Sequence, residues 1–138
     1  MNLVIPQSYP TTYETLSKAV QFQEEVLKTK ALYSDADFAV IQGYGGEWML
    51  HADHTYQGHA LEKKLAGLSM RGTGVELRLH GCDPDTAATA AKKLGFEVLS
   101  KPEDKPYELR ETHVVDADGY VWVADVPAKT QPTQEKQP

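Results

Sequence analysis

The chain has 138 residues, 41% of them hydrophobic and 25% charged, which is the balance of one globular domain able to bury a sizeable core. Its formal charge of −6 argues against nucleic acid as a partner, since that would need a basic stripe, and leaves an acidic surface suited to solubility or to neutral and cationic small molecules. The single cysteine, Cys82, allows no intrachain disulfide and suits a reducing cytoplasm, while neither a signal peptide nor a membrane-spanning apolar run is expected.

A short strand is predicted near residues 3–9. Residues 15–28, TLSKAVQFQEEVLK, have helical spacing, with Leu16, Ala19, Val20, Val26 and Leu27 on one stripe and Phe22 off its centre. Strand-like runs follow near 31–34, 37–42 and 46–51, the last two divided by Tyr44-Gly45. Residues 53–73 read as a polar connection with a short helix at HALEKKLAGL.

The pattern then restarts. In GVELRLHG, residues 74–81, Val75, Leu77 and Leu79 fall on one face and Glu76, Arg78 and His80 on the other. The next segment, DPDTAATAAKKLG, carries a capping Asp83, Pro84 in the first turn, Asp85 at the positive end, Lys92 and Lys93 at the negative end, and Gly95 just beyond. FEVLS (96–100) reads as a strand, KPEDKP (101–106) as a loop and YELRETHVV (107–115) as a strand. The Asp116-Ala117-Asp118-Gly119 turn then leads into a last strand, Tyr120 to Asp125. From Ala128 the Pro/Gln/Lys-rich composition predicts disorder. Both halves thus read strand–helix–strand–strand–strand, the signature of a duplicated unit: a first module over 1–56, a linker over 57–73, a second module over 74–127 and a tail over 128–138.

The second half resembles the C-terminal module of the vicinal oxygen chelate superfamily, which includes glyoxalases, bleomycin-resistance proteins and extradiol dioxygenases. Three features carry the resemblance: the alternating strand running into an Asp-Pro-Asp helix start, the LGFEVLSKPEDKPYELRE stretch, and the DADGYVW hairpin. In the first half, ETLSKAVQFQEEVL and GGEWMLHAD are similar to the first module's helix and last strand. The resemblance implies an α+β fold of two βαβββ modules forming a half-open eight-stranded cup, commonly in a homodimer. Metal-dependent members take four ligands from the first and last strands of each module. Those positions fall here on Gln7, Glu47, Glu76 and Val123. Valine has no donor atom, so no cofactor is favoured; a divalent metal, if bound, would have only Gln7, Glu47 and Glu76.

His51, His54 and His59 match no closed zinc spacing and read as a polar loop leaving a strand. Cys82 precedes a helix start, a place that can lower a thiol pKa, but a lone cysteine without a base is ordinarily inert. Trp48 and Trp122 are core residues by default and stacking surfaces for a flat ligand as the alternative. The resulting expectation is a small-molecule binder of the bleomycin-resistance kind, without metal, holding a flat, cationic organic ligand among Glu47, Trp48, Glu76, Arg78, His80, Trp122 and Val123. The alternative is a metal-dependent glyoxalase-like lyase, isomerase or dioxygenase. Neither a nucleic acid nor a membrane is expected as partner.

Overall fold

The computed structural model describes residues 3–8, 12–68 and 70–129, with backbone only for 12–15. The expected disorder of the tail therefore lies, beyond Lys129, outside the described residues. The first half runs β1 (Leu3–Gln7), α1 (Thr12–Gln21), a π-helical turn (Phe22–Val26), β2 (Lys30–Ser34), β3 (Phe38–Gly43) and β4 (Gly46–Ala52). A 3-10 turn and the four-residue α2 (Glu62–Leu65) occupy the connection. The second half runs β5 (Glu76–His80), α3 (Pro84–Lys93), β6 (Glu97–Asp104), β7 (Leu109–Val115) and β8 (Val121–Pro127).

These strands make two four-stranded sheets of the same order, β1-β4-β3-β2 and β5-β8-β7-β6. In each, the first strand pairs in parallel with the last, and the other pairings are antiparallel. The fold is α+β. The sheet order leaves β1 and β5 as edge strands, each with one side unpaired within its sheet.

Local chemistry explains most of the elements. Asp83 caps α3 by accepting from the Thr86 backbone N–H, Pro84 fills the first turn, and Gly95 takes φ +86° just past the end. Alanines 87, 88 and 91 form the buried stripe of α3, and their small side chains let it lie close on β6 and β7. The helix of the first half departs from simple periodicity. At Phe22 it widens into a π turn, in which the Leu27 N–H donates to the Phe22 carbonyl, five residues back. That wider turn changes the phase of the stripe and brings Phe22, Gln23, Val26 and Leu27 together into the interior. Phe22, expected at the margin, is consequently a core residue at 1% exposure.

A second departure lies in β6, which continues through Pro102 to Asp104 where a loop is expected. Proline cannot donate to a ladder, but β6 is an edge strand and its register with β7 shifts between Ser100 and Glu103. An irregular edge is the place where a sheet tolerates proline. Val75 is also displaced: it lies just before β5 and is exposed, so Leu79 and half-buried Leu77 alone carry the apolar face of that strand.

One core serves both halves. Phe22 meets Phe96 edge to face at 4.9 Å and Trp122 at 6.5 Å, and Trp122 meets Trp48 at 5.7 Å. Each indole N–H is satisfied: Trp48 donates to the Gln23 side chain at 3.1 Å and Trp122 to Asp116 at 3.0 Å. At the far end of β1, the Ser8 backbone N–H and hydroxyl both donate to Asp118, and the Tyr120 hydroxyl donates to the Pro6 carbonyl. These bonds tie the first strand of one half to the closing hairpin of the other.

Candidate functional site

A groove of about 340 Å³ runs along the unpaired side of β5. Every residue of β5 lines it. Across from β5 stand Leu3 of β1, the β3–β4 turn from Gly43 to Gly46, and Trp48 of β4, with Trp122 of β8 also reached. The groove therefore lies where the edge strands of the two sheets come near each other without pairing. Its floor is apolar: Leu3, Leu77, Leu79 and the two indoles. One rim is charged, because strand alternation sends Glu76, Arg78 and His80 to the opposite face from Leu77 and Leu79.

Tyr44 closes the groove at the β3–β4 turn. It holds φ +52° beside Gly45 at +78°, the pair of left-handed residues that a two-residue hairpin turn needs. Tyrosine is an unusual choice there. Its hydroxyl donates to the Leu27 carbonyl at 2.5 Å, which fixes the ring against the first half's helix, and burial pushes its pKa up.

The charged rim is the exposed part of a larger network. The register of β5, β8 and β7 puts Arg78 beside Val123, His80 beside Asp125, Val123 beside His113 and Asp125 beside Glu111, all on one face. The Arg78 guanidinium donates to Glu76 at 2.7 Å, to Glu111 at 2.6 Å and to Asp125 at 3.2 Å. The Glu111 and Asp125 side chains are 3% and 1% exposed, whereas Arg78 retains 28%. Hydrogen bonds from Arg78, then from His113, hold the Glu76 carboxyl below its usual range. Burial works to raise Glu111, but bonds from Arg78 and Tyr107 outweigh it and the net shift is downward. For Arg78, burial alone would favour losing the proton; the bonds to Glu111 and Glu76 reverse that, and the guanidinium stays charged.

The two histidines of this face are wired differently. His113 uses both nitrogens, Nδ1 with the Ser100 hydroxyl at 2.7 Å and Nε2 with Glu76 at 3.3 Å. His80 bonds Asp125 through Nδ1 at 2.7 Å, and its side chain is 76% exposed.

Of the residues expected at the site, Trp48, Glu76, Arg78, His80 and Trp122 line the groove. The tryptophans do so from the core, at 3% and 1% exposure, so they have almost no free ring surface on which a flat ligand could stack. Val123 shares the face of Arg78 but is fully buried, and Glu47, exposed at the start of β4, is not among the lining residues. Glu111 and Asp125 are not singled out by the sequence, and the sequence does not fix the face of His113, although all three anchor the rim. Alternation along β7 places Glu111 and His113 on one face; that this face meets Arg78 depends on the pairing of β7 with β8 and of β8 with β5.

The residues do not fit the metal site that the resemblance implies. Gln7 lies on the helix-facing side of β1, in register with Ala52, is 3% exposed and turns its amide to the Ile5 carbonyl. Glu76 is engaged by Arg78 and His113, and Val123 has no donor. Among the described residues no group of three or more His, Cys, Asp or Glu is placed to hold a metal ion. The loop histidines are also occupied locally: His51 with Thr55 at 3.3 Å and His54 with Asp37 at 2.7 Å, while His59 accepts from the Leu61 backbone at 2.9 Å. Cys82 is buried, donates to the Leu27 carbonyl, and its thiol pKa is raised by burial, which is the opposite of an activated thiol.

No family model matches the sequence. No curated protein matches it either. Solved structures do match. A glyoxalase/bleomycin resistance protein/dioxygenase from Nocardioides superposes with a TM-score of 0.63 at 20% identity, over 97% of this chain and 88% of that one. A glyoxalase/bleomycin resistance protein/dioxygenase family enzyme from Burkholderia phytofirmans PsJN gives 0.68 at 11% identity, over 90% and 96%. The fosfomycin resistance protein FosX from Mesorhizobium loti gives 0.58 at 14% identity, over 99% and 94%. At these identities the likeness is one of fold: the chain has the glyoxalase-like α+β fold of the vicinal oxygen chelate proteins.

Proposed function

We propose that this protein binds a small organic ligand in the groove along β5, with the ligand's apolar part on Leu3, Leu77 and Leu79 and its polar part at the Glu76–Arg78–His80 rim. The observation that carries this reading is the groove itself, an apolar floor with charged groups converging at one side, which is the usual make-up of a small-molecule site. The reading includes no metal, because the guanidinium of Arg78 already fills the space among the carboxylates. Three of the five N–H donors of Arg78 go to carboxylates, so its first role is to hold the rim in shape. Three carboxylates around one guanidinium leave the rim acidic, which favours neutral or cationic guests over anions.

FosX, of the same fold, is by its name a fosfomycin resistance protein, and others carry the bleomycin-resistance description. Sequestration of a small organic molecule accords with those descriptions. The reading extends to a homodimer in the cytoplasm. The open face of the first sheet, with Val4 at 43% and Tyr33 at 50% exposure beside Val40 and Met49, offers the apolar surface a second copy would cover. No helix among the described residues is long and apolar enough to cross a membrane.

The test is a screen of aromatic and aliphatic probes against the protein, read by tryptophan fluorescence and by amide shifts of residues 76–80. Leu77→Trp, which fills the floor, serves as control. Probes that shift residues 76–80 in the native protein and not in Leu77→Trp support the reading. Probes that bind only elsewhere, or equally to the filled variant, overturn it.

A further inference from the structure

We infer that His80 is a proton acceptor facing the groove, set in that state by Asp125, and that the groove therefore takes ligands whose polar group carries a proton to give. The inference rests on the groove being the ligand site. It deepens that reading by naming the chemistry of the ligand's head group.

A carboxylate only accepts hydrogen bonds. Asp125 accepts from Arg78 Nε at 3.2 Å through one oxygen and faces His80 Nδ1 at 2.7 Å through the other. When the imidazole is neutral, its one proton must therefore sit on Nδ1, and Nε2 carries the lone pair. Asp125 is 1% exposed and pinned by Arg78, so it cannot turn away to release the ring. None of the described residues bonds His80 Nε2. The ring is 76% exposed, and His80 is one of the residues that line the groove. The result is a lone pair held on the exposed ring of a groove-lining residue.

The neighbouring histidine shows that this is not a general property of the face. His113 has Nδ1 on Ser100 and Nε2 on Glu76, so neither nitrogen is available to a ligand. Of the remaining rim groups, Glu76 only accepts, and Arg78 spends three of its five N–H donors on carboxylates. Glu76 presents carboxylate oxygens at 50% exposure. A carboxylate or phosphate brought to this rim would meet net negative charge, three carboxylates against one guanidinium. A phenol, an acidic alcohol or an ammonium group would find an acceptor at His80 and an acidic surround.

A proton transfer from such a ligand balances within the site. The ligand's O–H bond breaks and leaves its electron pair on oxygen. The proton forms an N–H bond at His80 Nε2. The imidazolium keeps Nδ1–H on Asp125, whose carboxylate stabilises the new charge without being protonated. In this arrangement His80 is the residue that touches the ligand, and Asp125 is a positioning residue.

The experiment has two arms. The first reads the His80 tautomer in the free native protein at a pH where the ring is neutral, by long-range proton–nitrogen-15 correlation. The expected result is a protonated Nδ1 and a bare Nε2; a protonated Nε2 overturns the inference whatever binds. The second arm titrates two probes with the same ring and different heads, 4-cresol and 4-methylbenzoate, following the His80 nitrogens. The cresol is expected to bind at least tenfold more tightly, and His80→Gln is expected to reduce that ratio to about one. Equal or tighter binding of the benzoate overturns the inference, as does a ratio unchanged in His80→Gln. Asp125→Asn is expected to mix the tautomers. Should that variant unfold, the native tautomer and the His80→Gln ratio still decide. If neither probe binds while Nδ1 carries the proton, the groove reading falls and the wiring of His80 by Asp125 stands.

Discussion

Replacing Arg78 with alanine should unfold the protein more readily than its exposure suggests. The guanidinium is 28% exposed, but it is the partner of two carboxylates that are almost wholly inaccessible, Glu111 and Asp125. Removing one partner of such a network leaves charge stranded in a poorly solvated place, at a cost of about 3–5 kcal/mol. Water reaches Arg78 from the groove side, so the lower end, about 3 kcal/mol, is expected. For a chain of this length that corresponds to roughly 10 °C in Tm. Leu79→Ala, on the opposite face of the same strand and 8% exposed, should cost about 2–4 kcal/mol through lost burial and a cavity. The two variants should thus be comparably destabilised, although one deletes a core leucine and the other a rim charge. Their pH dependence separates them. Glu111 has a folded pKa below its unfolded value, so its contribution is present above roughly pH 4 and is lost as pH falls through the folded pKa. The deficit of Arg78→Ala should therefore narrow below about pH 4, while that of Leu79→Ala should not. Urea melts from pH 3 to 8 measure both. A loss under about 1 kcal/mol at pH 7, the size of an exposed ion pair, would refute the reasoning.

Asp116 predicts the opposite slope. Burial raises its carboxyl to about 6, against hydrogen bonds from Trp122, Tyr120 and Asp118, so stability linked to this group should decline by on the order of 2 kcal/mol as pH rises from about 4 to 6. Asp116→Asn should lack that decline, and an identical pH profile in the two proteins would count against it. Gln23→Leu should leave the buried Trp48 indole N–H without its acceptor and cost about 1–3 kcal/mol by denaturant melt, though the volume is nearly kept; a neutral result would mean the bond contributes nothing net. Protein dialysed without chelator should hold far less than one divalent metal per chain by elemental analysis, and near-stoichiometric metal lost in Glu76→Ala would overturn the metal-free reading.

What could be read from the sequence was mostly local. The alternation of residues 75–80, the Asp-Pro start of α3 and the Asp-Gly hairpin each act within a few residues, and all three segments stand close to where they are expected. Two misreadings share one cause, which is that neighbours in space can override local preference. The π turn at Phe22 exists because the interior takes Phe22, Gln23, Val26 and Leu27 together, and no periodicity in the sequence states that demand. Pro102 sits within β6 only because β6 is the last strand of its sheet. The site shows the same division. Arg78 and His80 were visible as a polar strand face. Their partners Glu111 and Asp125 lie 33 and 47 positions away from Arg78, and register alone brings them there.

The rim also bears on the proposal of binding without a metal. Carboxylates gathered on one sheet face repel each other and pay for desolvation unless a cation stands among them. In a metal site that cation is a metal ion, bound reversibly through open coordination positions. Here it is a guanidinium, covalently part of β5 and fixed by three carboxylates. The two solutions exclude one another, because a metal ion seated among Glu76, Glu111 and Asp125 would have to displace Arg78 against its own charge. A built-in cation also leaves no open coordination position for a substrate oxygen. What it leaves for a ligand is the periphery of the network: the Glu76 carboxylate and the second ring nitrogen of His80. The net charge of the rim is consequently negative, and its selectivity follows from which guests can donate to Glu76 and His80.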